Sequence, residues 1–93
     1  MYQLQLRVHF AGSDGGAESA VAWLVEDAAD RIKPLADLAT DVLEIDEENG
    51  SALVVFSSHA LTDLYSIIYS YVADDLEFDL ELLKELVQRV TEV

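Results

Sequence analysis

The sequence predicts a small α+β domain, in which helices pack on a three-stranded antiparallel or mixed sheet in the order β-α-β-β-α-α. Three patterns support this prediction: an N-terminal segment in which apolar and polar residues alternate, three later segments with apolar residues at helical spacing, and two short apolar runs joined by an Asn-Gly turn. Ninety-three residues suffice for one modest hydrophobic core. We therefore expect residues 1–93 to form a single domain.

The first strand is predicted at the N-terminus. The apolar residues that would share one face of the extended chain are Tyr2, Leu4, Leu6, Val8 and Phe10. The segment AGSDGG at 11–16 then breaks the pattern, because glycines favour turns. Glycines before a helix also free backbone N–H groups that can bind phosphate, but this segment lacks the lysine of a P-loop and the spacing of a dinucleotide site. We interpret it as a turn.

The first helix is predicted from Ala17 to about Ile32. Its apolar stripe consists of Ala17, Val21, Leu24, Ala28 and Ile32. Pro34 disfavours helical geometry at the preceding residue and ends the helix, after which a short helical piece over roughly 35–39 can follow. Trp23 lies opposite the stripe. Either a loop or the 34–40 segment covers its ring, or the ring is exposed as an anchor for a partner, since tryptophan is frequent among interface hot spots.

Residues 41–46 and 51–57 are predicted to form an antiparallel hairpin. They flank the sequence EENG, whose Asn49-Gly50 pair tolerates the positive φ angles of tight turns. The apolar run LVVF at 53–56 is typical of a strand that is buried on both faces. We therefore expect the later of these two strands at the centre of the sheet.

A second helix is predicted over residues 60–72. Its main apolar stripe consists of Leu61, Leu64, Tyr65, Ile68 and Val72. Ile67, Tyr69 and Tyr71 widen the apolar arc to more than half of the circumference, which is more than one sheet usually covers. The helix therefore needs a second neighbour, which is the last helix, another subunit or a foreign protein.

The acidic segment 72–86, VADDLEFDLELLKEL, fits both the two-residue period of a strand and the period of about 3.6 residues of a helix. Part of it alternates as a strand does, whereas helical spacing relates Leu80, Leu83, Val87 and Val90. Asp79 is suited to cap a helix, with Phe78 and Leu83 as a hydrophobic staple. We therefore predict a helix from residue 79 to the C-terminus. If residues 75–80 instead pair as a fourth strand, the order becomes that of a ferredoxin-like split βαβ fold.

Charge is the strongest feature of the composition. Nineteen Asp and Glu residues against five Lys and Arg residues give a formal net charge of −14 at pH 7. Such a field repels nucleic acids and anionic membranes and attracts basic proteins. It also destabilises the fold through self-repulsion, which either salt or a basic partner offsets. We therefore expect no direct binding to nucleic acid or to membranes.

Several absences narrow the class of protein further. The chain has no cysteine, which excludes disulfides and thiolate zinc sites. It has neither a basic leader nor an apolar run of about eighteen residues, so we expect a cytoplasmic protein, in a host cell if the chain is phage-encoded. DEEN at 46–49 and DDLEFD at 74–79 lack the residue order of an EF-hand calcium loop. No metal or other cofactor is predicted.

The histidines do not indicate catalysis. Ser58, His59 and Asp63 resemble a nucleophilic triad in composition, but neighbours on one helical turn rarely point at one reacting atom. Serines near a helix start commonly bond to its free N–H groups, so we expect a structural role for this cluster. His9 lies on the polar face of the first strand, where water solvates it. We therefore expect a protein that is not an enzyme.

These features favour an acidic inhibitor that binds a basic protein or a nucleoprotein complex. Ordered carboxylates can imitate the phosphates of DNA and steer association with a nucleic-acid-binding surface. The predicted contact residues are Trp23, Glu26, Asp27, Asp30, Glu44, Asp46, Glu47, Glu48, Tyr69, Asp74, Asp75, Glu77, Asp79 and Glu81. For mimicry of DNA, we expect the connector that follows the second helix, the hairpin turn and the polar side of the first helix to combine in space.

In size and charge the chain is similar to acidic phage-encoded inhibitors of host nucleases, including anti-CRISPR and anti-restriction proteins. Immunity proteins against basic toxins belong to the same physical class. The likeness is one of composition, and no motif carries it.

Two other interpretations fit the sequence. One is a small dimeric ligand-binding or regulatory domain, with the helix at 60–72 in the dimer interface and AGSDGG at the ligand site. The other is an ordinary cytoplasmic protein of a high-salt organism. Two lysines against nineteen acids agree with that interpretation, whereas the many large apolar residues do not.

Overall fold

The computed structural model of the protein describes residues 1–10, 15–31, 35, 37–74 and 79–93. Its elements are β1 (Tyr2–His9), α1 (Gly16–Arg31), β2 (Ala39–Asp46), β3 (Ser51–Ser58), α2 (Leu61–Asp74), α3 (Leu80–Gln88) and β4 (Thr91–Glu92). The predicted α+β class and the order β-α-β-β-α-α are confirmed, and β4 follows as a short additional strand.

The sheet is antiparallel throughout and has the strand order β2-β3-β1-β4. β1 and β3 pair along their whole length, from Tyr2 opposite Ser58 to His9 opposite Ser51. β3 therefore lies between β1 and β2, at the centre of the sheet as predicted. β2 forms one edge, and β4 forms the other only beside the first residues of β1.

The helices cover one face of this sheet. The strand residues that are buried beneath them are Leu4, Leu6, Val8, Ala52, Val54 and Phe56. On the opposite face, Leu53 and Val55 are only half-buried. The expectation that the LVVF run is buried on both faces is therefore wrong, because no described helix covers that second face.

α2 is the central helix of the helical layer. It packs against α1, α3, β1 and β3. Its fully buried apolar residues are Leu64, Ile67, Ile68 and Val72. The small side chains of Ser66 and Ser70 are buried on the same helix, where they permit close approach of its neighbours. The wide apolar arc thus has two helical neighbours, α1 and α3, within the same chain.

α1 buries the stripe that the sequence predicts. Ala17, Ala20, Val21, Leu24 and Ala28 form its buried face. Gly15 and Gly16 have φ angles of +99° and +68°, which agrees with a turn before the helix. Residues 11–14 and 32–34, which include most of AGSDGG, Ile32 and Pro34, lie outside the described residues.

The short helical piece expected over 35–39 is not formed by its described residues. Leu38 is irregular, and Ala39 already pairs with Ser57 as the first residue of β2. Backbone pairing with the central strand thus begins two residues earlier than the predicted strand at 41–46.

The C-terminus corrects another prediction. α3 ends at Gln88 instead of continuing to residue 93, and Thr91 pairs with Gln3 of β1. The Val93 N–H donates to the Met1 carbonyl at 2.7 Å. The outer edge of β1 offers backbone groups that need partners, and pairing there outweighs one further helical turn. The described fourth strand is thus Thr91–Glu92. Of the segment 75–80 in the ferredoxin-like alternative, Leu80 is helical and 75–78 lie outside the described residues.

Truncating a side chain should cost more stability on β3, which the helices cover, than on the uncovered strand β2. We expect Phe56→Ala to lower the free energy of unfolding by about 3–5 kcal/mol, because it leaves a cavity in the core. Leu43→Ala on β2 should change it by about 0.5 kcal/mol or less, because Leu43 is 51% exposed. Urea denaturation followed by circular dichroism measures both. Equal losses would contradict the assignment of β2 as an uncovered edge.

Candidate protein-interaction surface

β2 is an edge strand whose side chains are almost all exposed. Val42 pairs with Val54, and Ile45 pairs with Ala52. Directly paired residues share one face of a sheet, so Val42 and Ile45 lie on the side that the helices cover. Val42 is nevertheless 41% exposed and Ile45 is 53% exposed. The helical layer therefore stops short of β2.

The acidic residues of β2 lie on the other face. Asp41 pairs with Val55 and Glu44 pairs with Leu53, and both carboxylates are exposed. The register shifts between Val42 and Glu44, which leaves Leu43 without a partner on β3. Such a bulge places two residues of one strand opposite one residue of the next and increases the local twist.

The turn between β2 and β3 is held by Asp46. Its side chain accepts hydrogen bonds from the Asn49 backbone N–H at 3.2 Å and from Asn49 Nδ2 at 2.7 Å. Gly50 completes the turn with a φ angle of +64°, which agrees with the predicted Asn-Gly hairpin. The Asn49 side chain lowers the pKa of Asp46, and the Asn49 N–H and the charge of Arg7 act in the same direction.

We name this surface the hairpin patch, and it comprises Asp41, Val42, Leu43, Glu44, Ile45, Glu47 and Glu48. The side chains of Glu47 and Glu48 are exposed on the turn. Within the described part of the chain, no Lys or Arg lies within 4.0 Å of any carboxylate of the patch. Unpaired negative charge and exposed apolar area thus adjoin each other on one short segment.

A second set of predicted contact residues lies on α1. Trp23 is 47% exposed, so it is not fully covered. Glu26 and Asp30 are exposed on the same helix. Asp27 differs, because Arg31 Nε donates to its Oδ2 at 2.8 Å and neutralises it locally.

The predicted residues at the start of α3 serve the helix itself. Asp79 Oδ1 accepts from the backbone N–H groups of Glu81 at 3.0 Å and Leu82 at 3.1 Å, which confirms the predicted N-cap. Glu81 is exposed and lies 3.9 Å from Lys84 Nζ. Of these carboxylates, Asp79 is therefore engaged as a cap and Glu81 has a nearby cation.

The remaining predicted contacts are dispersed. Tyr69 is exposed on α2. Asp74 is the last residue of α2, and its side chain lies outside the description, as do Asp75, Glu77 and Phe78. The predicted connector and hydrophobic staple thus fall outside the described residues. Glu44, Asp46, Glu47 and Glu48 lie together on the hairpin, whereas Glu26, Asp27 and Asp30 lie on α1, and Asp79 and Glu81 lie at the start of α3.

Ser58, His59 and Asp63 do not form a triad. Ser58 Oγ donates to Asp63 Oδ2 at 2.8 Å and accepts from the Ala60 N–H at 3.0 Å, within a buried site. His59 is exposed, and its Nε2 lies 3.8 Å from Asp37 Oδ2. The Ser58–Asp63 pair anchors the start of α2, which is the structural role expected for this cluster.

The uncovered face of the sheet bears a concavity of about 430 Å³. Its lining consists of Gln3, Gln5, Arg7, Leu53, Arg89 and Thr91. Arg7 Nη1 donates to Ser51 Oγ at 3.1 Å, and Arg89 Nη2 donates to Glu85 Oε1 at 2.6 Å. Two arginines therefore make this region locally less acidic than the hairpin patch.

No group of three or more His, Asp or Glu side chains among the described residues could hold a metal ion. None of the described helices is both long and apolar enough to cross a membrane.

Asp41, Val42, Leu43 and Ile45 belong to the hairpin patch but were not among the contact residues predicted from the sequence. No exposure was predicted for the Val, Leu and Ile side chains of this strand, and only the acids Glu44, Asp46, Glu47 and Glu48 of the hairpin were predicted as contact residues. The acids of β2 carried a usable signal, since Asp41, Glu44 and Asp46 occupy three of its eight positions and natural proteins place charge on edge strands.

Comparison with known proteins identified no relative of this chain. No protein-family model, no curated protein and no solved structure matches it.

The turn makes a prediction about pH. Asn49→Ala removes the strongest cause of the lowered pKa of Asp46, so this pKa should rise toward its ordinary value. A lowered folded-state pKa stabilises the fold above the unfolded pKa of about 3.9, and the stabilisation is lost as pH falls through the folded-state pKa. The stability advantage of the wild type over Asn49→Ala should therefore shrink on acidification. NMR titration of the Asp46 carboxyl carbon and denaturation at several pH values measure the two effects.

The control for this pH effect is an Asp46→Asn background. There, Asn49→Ala should leave the pH dependence of stability unchanged, because no Asp46 carboxylate remains to titrate. An Asp46 pKa that does not move in Asn49→Ala would show that the hydrogen bonds of the turn do not set it.

The cap of α3 makes a separate prediction. Asp79→Ala should lower the free energy of unfolding by about 1 kcal/mol, because two N–H groups lose their acceptor. Asp79→Asn keeps an acceptor oxygen and should change it by only a few tenths of a kcal/mol. Thermal denaturation distinguishes these variants. An equal loss in both would assign the stabilisation to the charge and not to the cap.

Proposed function

We propose that this protein is an acidic inhibitor that binds the basic, nucleic-acid-binding surface of another protein. The observation that carries the proposal is the hairpin patch, where exposed carboxylates without ion-pair partners in the described residues adjoin exposed apolar side chains. Acids alone mainly steer association, whereas apolar contact area adds affinity that persists when salt screens the charges.

The charge of the whole molecule supports the same partner. A formal net charge of −14 attracts a basic surface over a distance of about 8 Å at physiological ionic strength. Several acids on the helices are offset by cations one turn away, namely Asp27, Glu81 and Glu85. The acids of the hairpin patch have no such cation within ion-pair distance in the described residues.

We favour steric blocking by the hairpin patch, because it needs only that one segment. Mimicry of DNA, as the sequence suggests it, also needs the polar side of α1 and the connector after α2, most of which lies outside the described residues. The proposed inhibitor therefore occupies the nucleic-acid site of its target with one compact acidic and apolar surface.

The test compares two variants of equal charge. The first carries Asp41→Asn, Glu44→Gln, Glu47→Gln and Glu48→Gln in the hairpin patch. The control carries Glu18→Gln, Asp37→Asn, Glu85→Gln and Glu92→Gln, which are exposed acids outside the predicted contact residues. Binding to a panel of purified nucleases and DNA-binding proteins is measured at low salt, with double-stranded DNA as competitor and DNA cleavage as the functional readout.

We expect the wild type to bind at least one basic protein of the panel and to be displaced by DNA. The hairpin variant should bind about tenfold or more weakly, because exposed ion pairs contribute about 0.2–1 kcal/mol each. The control variant should bind within about threefold of the wild type at the same salt concentration. Equal losses of affinity in the two variants would show that only the net charge matters and not the hairpin patch. If the wild type binds no basic protein at low salt, the proposal is refuted.

The competing interpretations have distinct outcomes in the same samples. Unfolding at low ionic strength with refolding in molar salt would favour a protein adapted to high salt. A stable dimer would support a regulatory domain, although α1 and α3 already cover much of α2.

A further inference from the structure

The outer edge of β2 offers backbone groups to a second strand. β2 has eight residues, and its neighbour in the sheet, β3, lies on one side only. An edge strand presents a row of N–H and C=O groups that can pair with another chain. The other edge of the sheet is partly occupied, because β4 pairs with Tyr2 and Gln3, and Tyr71 Oη donates to the Arg7 carbonyl at 2.7 Å. β2 is therefore the more available edge in the described structure.

The side chains of β2 define what such a strand would meet. Val42 and Ile45 lie opposite Val54 and Ala52, which are two residues apart on β3. The bulge at Leu43 therefore brings Val42 and Ile45 to the spacing of alternate residues on a straight strand. Asp41 and Glu44 have the corresponding spacing on the other face, opposite Val55 and Leu53. A complementary strand would alternate apolar and positively charged residues.

Charge distinguishes between two possible occupants of this edge. A second copy of β2 would bring three further acids, Asp41, Glu44 and Asp46, to an edge that already carries three. Like charges on neighbouring strands are destabilising, and the bulge further disfavours flat pairing between copies. Lysine or arginine side chains would instead find carboxylates that have no cation within ion-pair distance in the described residues.

We propose that the edge of β2 binds an extended basic segment of the partner protein by strand addition. Apolar side chains of that segment cover Val42 and Ile45, and its lysines or arginines face Asp41 and Glu44. Main-chain hydrogen bonds contribute to affinity, and the alternating side chains determine specificity. This proposal rests on the proposed function, because it describes how the same hairpin patch would bind its basic partner.

The probe is a fluorescently labelled peptide of four Lys-Val repeats. Its control is the same peptide with every backbone nitrogen methylated, which keeps the side chains and the charge but cannot donate main-chain hydrogen bonds. Fluorescence anisotropy at low micromolar peptide measures affinity. Amide hydrogen exchange followed by NMR measures the protection of the backbone N–H groups of β2.

We expect the unmethylated peptide to bind about tenfold or more tightly than the methylated peptide, since net hydrogen-bond contributions of about 1 kcal/mol accumulate along a strand. Exchange of the outward-facing β2 amides should slow in proportion to the fraction of protein that is bound. Equal binding of the two peptides would overturn strand addition while leaving the acidic inhibitor intact. Binding of neither peptide at low salt would count against both proposals.

Two matched variants test the location. Ile45→Lys and Leu80→Lys change the charge equally, at side chains that are both 53% exposed. Ile45→Lys should weaken the peptide about tenfold, because a lysine on an edge strand opposes pairing, whereas Leu80→Lys on α3 should change affinity by about threefold or less. Equal losses of peptide affinity in the two variants would show that the peptide does not bind at the edge of β2. A protein dimer whose β2 amides are already protected would assign the edge to a second copy and overturn the proposal.

Discussion

Packing of α2 against four other elements is the interaction on which the rest of the structure depends. Its apolar residues Leu64, Ile67, Ile68 and Val72 are wholly buried between α1, α3 and the two central strands. The other buried apolar residues belong to α1, α3, β1 and β3, which are the four elements that α2 contacts. The described helices therefore cover β1 and β3 but leave β2 exposed.

This arrangement also determines where negative charge accumulates. Most described acids lie on the outer faces of the helices and on the edge hairpin, whereas Asp63 is buried, where it accepts a hydrogen bond from Ser58 Oγ. On α1 and α3, cations one turn away pair with Asp27, Glu81 and Glu85. β2 has a two-residue periodicity and no lysine or arginine, so its acids have no such local partner. On this strand, which lacks a helical cover, Asp41 and Glu44 have no cation within ion-pair distance in the described chain, whereas the charge of Arg7 acts on Asp46.

Local sequence patterns predicted most of the helices and strands, because residue spacing, turn residues and helix caps act over a few neighbouring residues. The alternation of β1, the stripe of α1, the Asn49-Gly50 turn and the Asp79 cap are all confirmed. The errors concern long-range pairing. β4 forms because residues 91–93 meet the N-terminal strand about ninety residues away, and no local pattern contains that contact. The exposure of Val42 and Ile45 depends on how far the helices extend over the sheet, which no local pattern contains, so the candidate surface was predicted only through its acids.

The central claim is that uncompensated charge is concentrated at the hairpin patch. Paramagnetic relaxation by a cationic and an anionic cosolute of equal size, compared at each backbone amide by NMR, measures the local electrostatic potential directly. We expect the most negative potentials at residues 41–48 and weaker ones along α3, where Lys84 and Arg89 lie beside acids. A uniform potential over the molecule, or a minimum on the helices instead of the hairpin, would contradict this account.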